Sequence, residues 1–200
     1  EELGFRIKHL GIARRAEKGI ELRVHPTLIP DEQLIANVNG VKNAVLVQAN
    51  AVGPTLYYGA GAGAGPTASA VVADVIDIVR DISYTEDGAG TIPQLAFEAL
   101  TNMPILSREE MTTGYYIRLN AEDQTGVLAD VTTILSRAGI SIDAIMQQSR
   151  LKDLIPIVIL TDPIVESKMD DALAQIQALP AIRGEIVRIR LESLEIGRAH

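Results

Sequence analysis

Apolar and polar residues alternate from Phe5 to Arg15 and stop at Glu17-Lys18-Gly19, which predicts a strand running into a tight turn. Ile20-Glu21-Leu22-Arg23-Val24 alternates again, so the two segments read as a hairpin with one wet face, ended by Pro26 and Pro30. On that reading Lys8, Arg14, Arg15 and Arg23 form the solvated face. Asp31 suits the N-cap of a short helix over 33–38. Ala44 to Val47 and Thr55 to Tyr58 predict two further strands, with Tyr57 and Tyr58 on opposite faces and one of them in the core. After a run of alternating glycines, Val71, Val72, Val75, Ile76 and Val79 gather on one side of a long helix, with Asp74, Asp77 and Asp81 mostly off that side. Residues 82–112 mix Gly88, Gly90, Pro93 and Pro104 with short apolar pieces and read as a linker packed on the surface.

The pattern sharpens from Tyr115. Tyr115, Ile117 and Leu119 alternate with Tyr116, Arg118 and Asn120, and a polar turn at 121–126 comes next. Val127, Leu128, Val131, Ile134, Leu135 and Ala138 then fall at helical spacing, with Gly139 placed as the left-handed residue after the helix. Strands are predicted over 140–146 and 155–161, with Pro156 at the start of the latter or at a bulge, and a helix over 166–179 closed by Pro180. Last, Val187, Ile189 and Leu191 alternate with Arg188 and Arg190, which are assigned to the outer side. The order βαββαβ in so short a span predicts a ferredoxin-like layer of helices on an antiparallel sheet. The expected fold class is therefore α+β, an antiparallel sheet with helices followed by the βαββαβ unit. Its expected segments are 1–82, a linker at 83–112, the second domain at 113–192 and a tail at 193–200.

Composition narrows the function classes. Of 200 residues, 47% are hydrophobic and 22% charged, which is a folded composition. A net charge of -8 with no cluster of Lys and Arg argues against a nucleic-acid partner. No segment is apolar over roughly 18 residues, so no membrane partner is expected. The chain has no cysteine, which removes thiol nucleophiles, thiolate metal sites and disulfides, and fits a cytoplasmic protein. It does not begin with Met and is already alternating by Phe5, so it reads as the interior of a longer polypeptide.

Two loops carry candidate chemistry. Between Asn120 and Leu128 a strand passes through Asp123 and Gly126 into a helix whose free N-H groups suit a carboxylate, while Asn120 and Asp123 suit an ammonium or hydroxyl. The same residues are equally those of a capped turn, with Asp123 or Thr125 serving the first-turn amides. Gly59, Gly61 and Ala64 meet a loose G-x-G-x-x-G/A pattern between a strand and a helix. A dinucleotide fold also needs a further parallel strand and an acidic residue, whereas the helix here leads into a linker. The reading that survives is a place where backbone can approach an anionic or flat ligand, or else only a tight connection. His9, His25 and His200 have no companions that nominate a triad or a metal site.

The run Leu56-Tyr57-Tyr58-Gly59 through Gly65-Pro66-Thr67-Ala68-Ser69-Ala70-Val71-Val72-Ala73-Asp74 resembles the C-terminal half of bacterial homoserine dehydrogenase. So do Val24-His25-Pro26-Thr27-Leu28-Ile29-Pro30 and Val38-Asn39-Gly40-Val41-Lys42-Asn43-Ala44-Val45 before it. Tyr115 to Glu192 resembles the ACT domain that comes after it in longer bacterial forms. The resemblance implies an incomplete substrate domain over 1–82 and NAD(P)-dependent interconversion of L-aspartate 4-semialdehyde and L-homoserine, on the route to threonine and methionine. It implies that the Rossmann domain and the catalytic Asp and Lys lie upstream, so that no catalytic residue is assigned here and this chain by itself is inactive. NAD or NADP would meet Gly61 and Gly63, with Gly59 behind them. Ala60 stands where relatives often carry Arg or Pro. Threonine, as feedback effector, would meet Asn120, Asp123, Gly126, Val127 and Leu128, with Ile140 and Ile142 across an interface between copies. A homodimer or higher homo-oligomer is expected, since exposed sheet edges favour pairing. The alternative is a non-catalytic amino-acid-binding or dimerisation module.

Overall fold

A computed structural model describes residues 3–84, 101–147 and 154–194. Two compact units emerge, one of Glu1–Ala36 with Met103–Leu194 and one of Asn37–Asn102 with Glu195–His200. The fold class is α+β, as expected.

The first unit is built on a six-stranded sheet. Strands β1 (Phe5–Ala16) and β2 (Gly19–Pro30) form an antiparallel hairpin, paired from Phe5 with Pro30 to Ala16 with Gly19. The remaining elements are β5 (Thr112–Glu122), α2 (Val127–Arg137), β6 (Ile142–Gln147), β7 (Leu154–Val165), α3 (Glu166–Gln177) and β8 (Ile182–Leu191). The spatial order is β1-β2-β8-β5-β7-β6. Its last four strands are the ferredoxin-like arrangement read from the sequence.

Both helices of this unit bury one stripe. Val127, Val131 and Leu135 recur every four residues on α2, and Met169, Ala172 and Ile176 at helical spacing on α3. They form one core with Tyr115, Ile117, Leu119 and Ala121 of β5 and with Ile157 and Ile159 of β7. Gly139, at φ +71°, ends α2 as expected, and the Ile140 amide donates back to the Leu135 carbonyl at 2.9 Å.

Four expectations are corrected in this unit. The hairpin does not form a sheet with the strands next to it in sequence; β2 instead lies parallel to β8, pairing Thr27 with Arg190 and Leu28 with Leu191. Pro26 does not end β2, which runs on as far as Pro30. The strand is paired along its whole length only with β1, so over most of its other side no ladder bond needs the missing N-H groups. Arg23 is buried rather than solvated. Arg188 and Arg190 pair with Ile117 and Tyr115, so they share the helix-covered face, and Val187 and Ile189 take the opposite one with Tyr116 and Arg118.

In the second unit, β3 (Lys42–Ala49) and β4 (Gly53–Ala60) form an antiparallel pair, and α1 spans Ala64–Tyr84. The helix expected over 33–38 is a 3-10 turn at Leu34–Asn37. Neither Tyr57 nor Tyr58 is in a core, at 65% and 57% exposure. The apolar side of α1 is also exposed, including Val75 and Ile76. Most of the expected linker, 85–100, lies outside the described residues, as does the tail from 195. Residues 103–112 are in part pinned, since Ile105 bridges Ile20.

Candidate functional site

At the end of β5, the loop from Asn120 to Leu128 brings most of its expected residues together. Asn120 is half-buried, Asp123 and Gly126 are exposed, and Gly126 adopts φ 99°, which a glycine tolerates and a side chain resists. The N-cap position is thus filled by a residue without a capping side chain, and the first helical bond runs from the Asp130 amide to the Gly126 carbonyl. Val127 and Ile140 belong to the core, with Leu128 and Ile142 packed against it. Asn120 sits opposite Pro156 on β7 and Ile142 opposite Thr161, roughly 17 Å apart at the usual strand rise. Within one chain, Ile142 does not join the loop.

The glycine loop has a different character. The Gly61 amide donates to the Val41 carbonyl at 3.2 Å, and a Cβ on Gly61 would fall 1.4 Å from Nδ2 of Asn43. Gly63 has φ +124°, and its carbonyl accepts the Thr67 amide as α1 begins. Gly63 is therefore required by the turn itself, whereas Gly61 leaves room for the Asn43 side chain. Gly59 is under neither constraint: nothing stands within 4 Å of its ideal Cβ, and the backbone from 59 to 65 is exposed. The residues present fit the approach of a flat ring to this backbone.

A third constellation is missed by sequence reasoning. Glu166, the first residue of α3, is fully buried. Its carboxylate accepts from Tyr115 Oη at 2.6 Å, from Arg190, and from the partly exposed Arg108 at 3.2 Å, with Arg188 at 3.4 Å. Burial pushes its pKa up, but hydrogen bonds from Arg190 and Tyr115 and the charges of Arg190 and Arg188 outweigh that and hold it at about 2. Tyr115 is pushed well above its ordinary value by burial first and by its bond to Glu166 second. Nearby, Glu192 accepts from Arg23 and from Arg14 at 2.6 Å, while Arg23 also lies 2.7 Å from Glu21. The signal available in the sequence was the pair of arginines two apart in a strand, which line one face together. Among the described residues no cluster of His, Asp and Glu is arranged to hold a metal.

Residues 1–76 match the family model for homoserine dehydrogenase, and residues 115–180 match the model for the ACT domain. Homoserine dehydrogenase of Pseudomonas aeruginosa is 54% identical over 198 residues, covering 97% of this chain. The chain belongs to the homoserine dehydrogenase family. The corresponding enzyme of Neisseria gonorrhoeae is 50% identical over 197 residues. The chain spans 45% of the length of either relative and corresponds to their C-terminal part. A crystal structure of a homoserine dehydrogenase from Thiobacillus denitrificans superposes with a TM-score of 0.87 at 56% identity, over 96% of this chain and 44% of that one. The Staphylococcus aureus homoserine dehydrogenase, at 21% identity and a TM-score of 0.61, shares the fold.

Proposed function

We propose that this chain is part of a homoserine dehydrogenase that interconverts L-homoserine and L-aspartate 4-semialdehyde with NAD or NADP, and whose ACT domain binds threonine as feedback inhibitor. The observation that carries the reading is the tandem itself. A dehydrogenase region and an ACT region match in order along one chain, with 54% identity to the Pseudomonas enzyme over 97% of this chain.

In this reading the turn at Gly61 and Gly63 would meet the nicotinamide side of the cofactor, with the open backbone at Gly59 behind it. Held there, NAD or NADP would supply the hydride acceptor for oxidation of the homoserine alcohol. The chain's own part is to offer a surface without side chains and to keep water from one side of the ring. The effector is held by Asn120, Asp123 and the amides of Gly126, Val127 and Leu128, with Ile140 and Ile142 supplied by a second copy, which makes a homo-oligomer part of the sensor. Support for the second copy is the separation of Ile142 from Asn120 within one chain.

The decisive experiment expresses the protein at the length of its relatives and measures homoserine-dependent reduction of NAD and NADP, with and without threonine. Turnover that threonine suppresses is expected. Absence of turnover with either cofactor overturns the enzymatic reading and leaves the binding module. The 200-residue chain alone is expected to be inactive, and measurable turnover from it would refute the assignment of catalytic groups elsewhere.

A further inference from the structure

An effector can bias a reaction only through an element whose arrangement differs between effector states. The first unit holds one strand that touches both regions. The hairpin β1-β2 lies within the region matched by the dehydrogenase family, yet its strands are part of the sheet that carries the sensor. The seam between them is short: β2 and β8 share two paired positions, extended by the Glu192 amide donating to the Leu28 carbonyl at 3.0 Å.

Charge closes that seam. Glu192 lies just beyond β8 and is buried, and its two carboxylate oxygens accept from Arg14 and Arg23, one in each strand of the hairpin. Arg23 is itself buried, so Glu192 and Glu21 are the anions that make its position tolerable. At the opposite end of β8, Arg183 is bonded to Glu122, the last residue of β5. The second oxygen of Glu122 accepts from Gln124 at 2.6 Å, inside the candidate effector loop, and the Glu122 amide donates to the Ala181 carbonyl at 2.8 Å. One strand, roughly 30 Å long at the usual rise, therefore has the effector loop bonded to its start and the dehydrogenase hairpin bonded just past its end.

We propose that β8 couples the sensor to the dehydrogenase, with Glu122–Arg183 and Glu192–Arg23 as the positioning pairs at its two ends. A packed sheet does not deform continuously, and a seam of two pairs between longer ladders is where it opens at least cost. Effector seated on the 120–128 loop fixes Glu122 and Arg183, and so the strand whose far end holds the hairpin. From Pro30 the chain leads through the 3-10 turn at Leu34–Asn37 into β3. This inference rests on the threonine-inhibited dehydrogenase reading above.

The test uses the full-length enzyme and threonine as probe. Calorimetry gives the Kd for threonine with and without saturating homoserine, and the ratio of the two measures coupling directly because linkage is reciprocal. A ratio of about fivefold or more is expected for the wild type. In Glu192→Gln and in Arg183→Gln it falls to within about twofold of one. Threonine still binds both variants, and turnover without threonine stays near wild type. A merely structural role would weaken folding or turnover and leave the ratio intact. A folded Glu192→Gln enzyme that keeps the wild-type ratio overturns the proposal. Should that variant fail to fold, Arg183→Gln decides in the same way, since Arg183 is half exposed and its loss leaves no buried charge. A wild-type ratio of one, with threonine bound, refutes the coupling and spares the sensor. No threonine binding at all refutes the sensor and the coupling with it.

Discussion

At the scale of single residues, Glu166 shows how far a side chain's setting can depart from its identity. A glutamate that opens a helix reads in sequence as a solvated first-turn acid. Here it is buried because the arginines of β8 and the phenol of Tyr115 converge on it. Removing the charge leaves cations without their anion, so Glu166→Gln is expected to cost about 3 kcal/mol of unfolding free energy, measured by urea titration at neutral pH. The sign of the acid response comes from its depressed pKa. The stabilisation is complete above the ordinary value of 4.5 and is lost as pH falls toward about 2. The wild-type unit should therefore lose stability across that window, and Glu166→Gln should lose less; parallel losses would mean that other carboxylates dominate. This network is illegible in the sequence for a definite reason. Alternation in β8 yields one apolar stripe and one cationic stripe, and choosing the apolar stripe as the inner one is right only where no buried anion waits beneath the other. Arg23 deceives on the same ground, since one of its two counter-charges, Glu192, is 169 residues away.

Among the elements, those with long regular patterns are legible and those that depend on distant partners are not. The βαββαβ segment appears where its periodicity places it, because each helix buries a stripe against strands close in sequence. Strand β2 is cut short at Pro26 when proline is weighed only as a breaker, yet the strand has one side largely without a ladder to break. The glycine loop is legible as a strand, loop and helix, but not in its division of labour. Gly63→Ala forces a side chain into φ +124° and is expected to destabilise its turn by about 1–3 kcal/mol. Gly59→Ala meets no neighbour and should leave the melting temperature of the full-length protein unchanged. If the cofactor lies on this backbone, Gly59→Ala nonetheless weakens NAD(P)H affinity in a fluorescence titration, and an unchanged affinity would place the ring elsewhere. In the β1-β2 turn, Gly19 offers a stricter case. A Cβ there would stand 2.2 Å from the Pro104 carbonyl oxygen, and backbone cannot swing away, so Gly19→Ala should cost about 1–3 kcal/mol in chemical denaturation.

On the scale of the whole molecule, the exposed valines and isoleucines of α1 exceed what a chain keeps in water without consequence. The 200-residue chain is expected to associate in a concentration-dependent manner in light scattering, and Val75→Lys with Val79→Lys should reduce it; unaltered association would trace it to another surface. The discontinuity of the first unit reaches further. Its sheet is assembled from the first thirty residues and from residues beyond 103, with the glycine loop and α1 between them in sequence. Family matching draws a border after residue 76, whereas the ladder of hydrogen bonds draws none between the hairpin and β8. Anyone transplanting this ACT domain onto another protein by cutting ahead of β5 would strip β8 of its two pairs to β2 and leave Glu192 without its arginines. A graft that carries β1 and β2 along transfers the sheet intact, and with it the place where a new host would have to be attached.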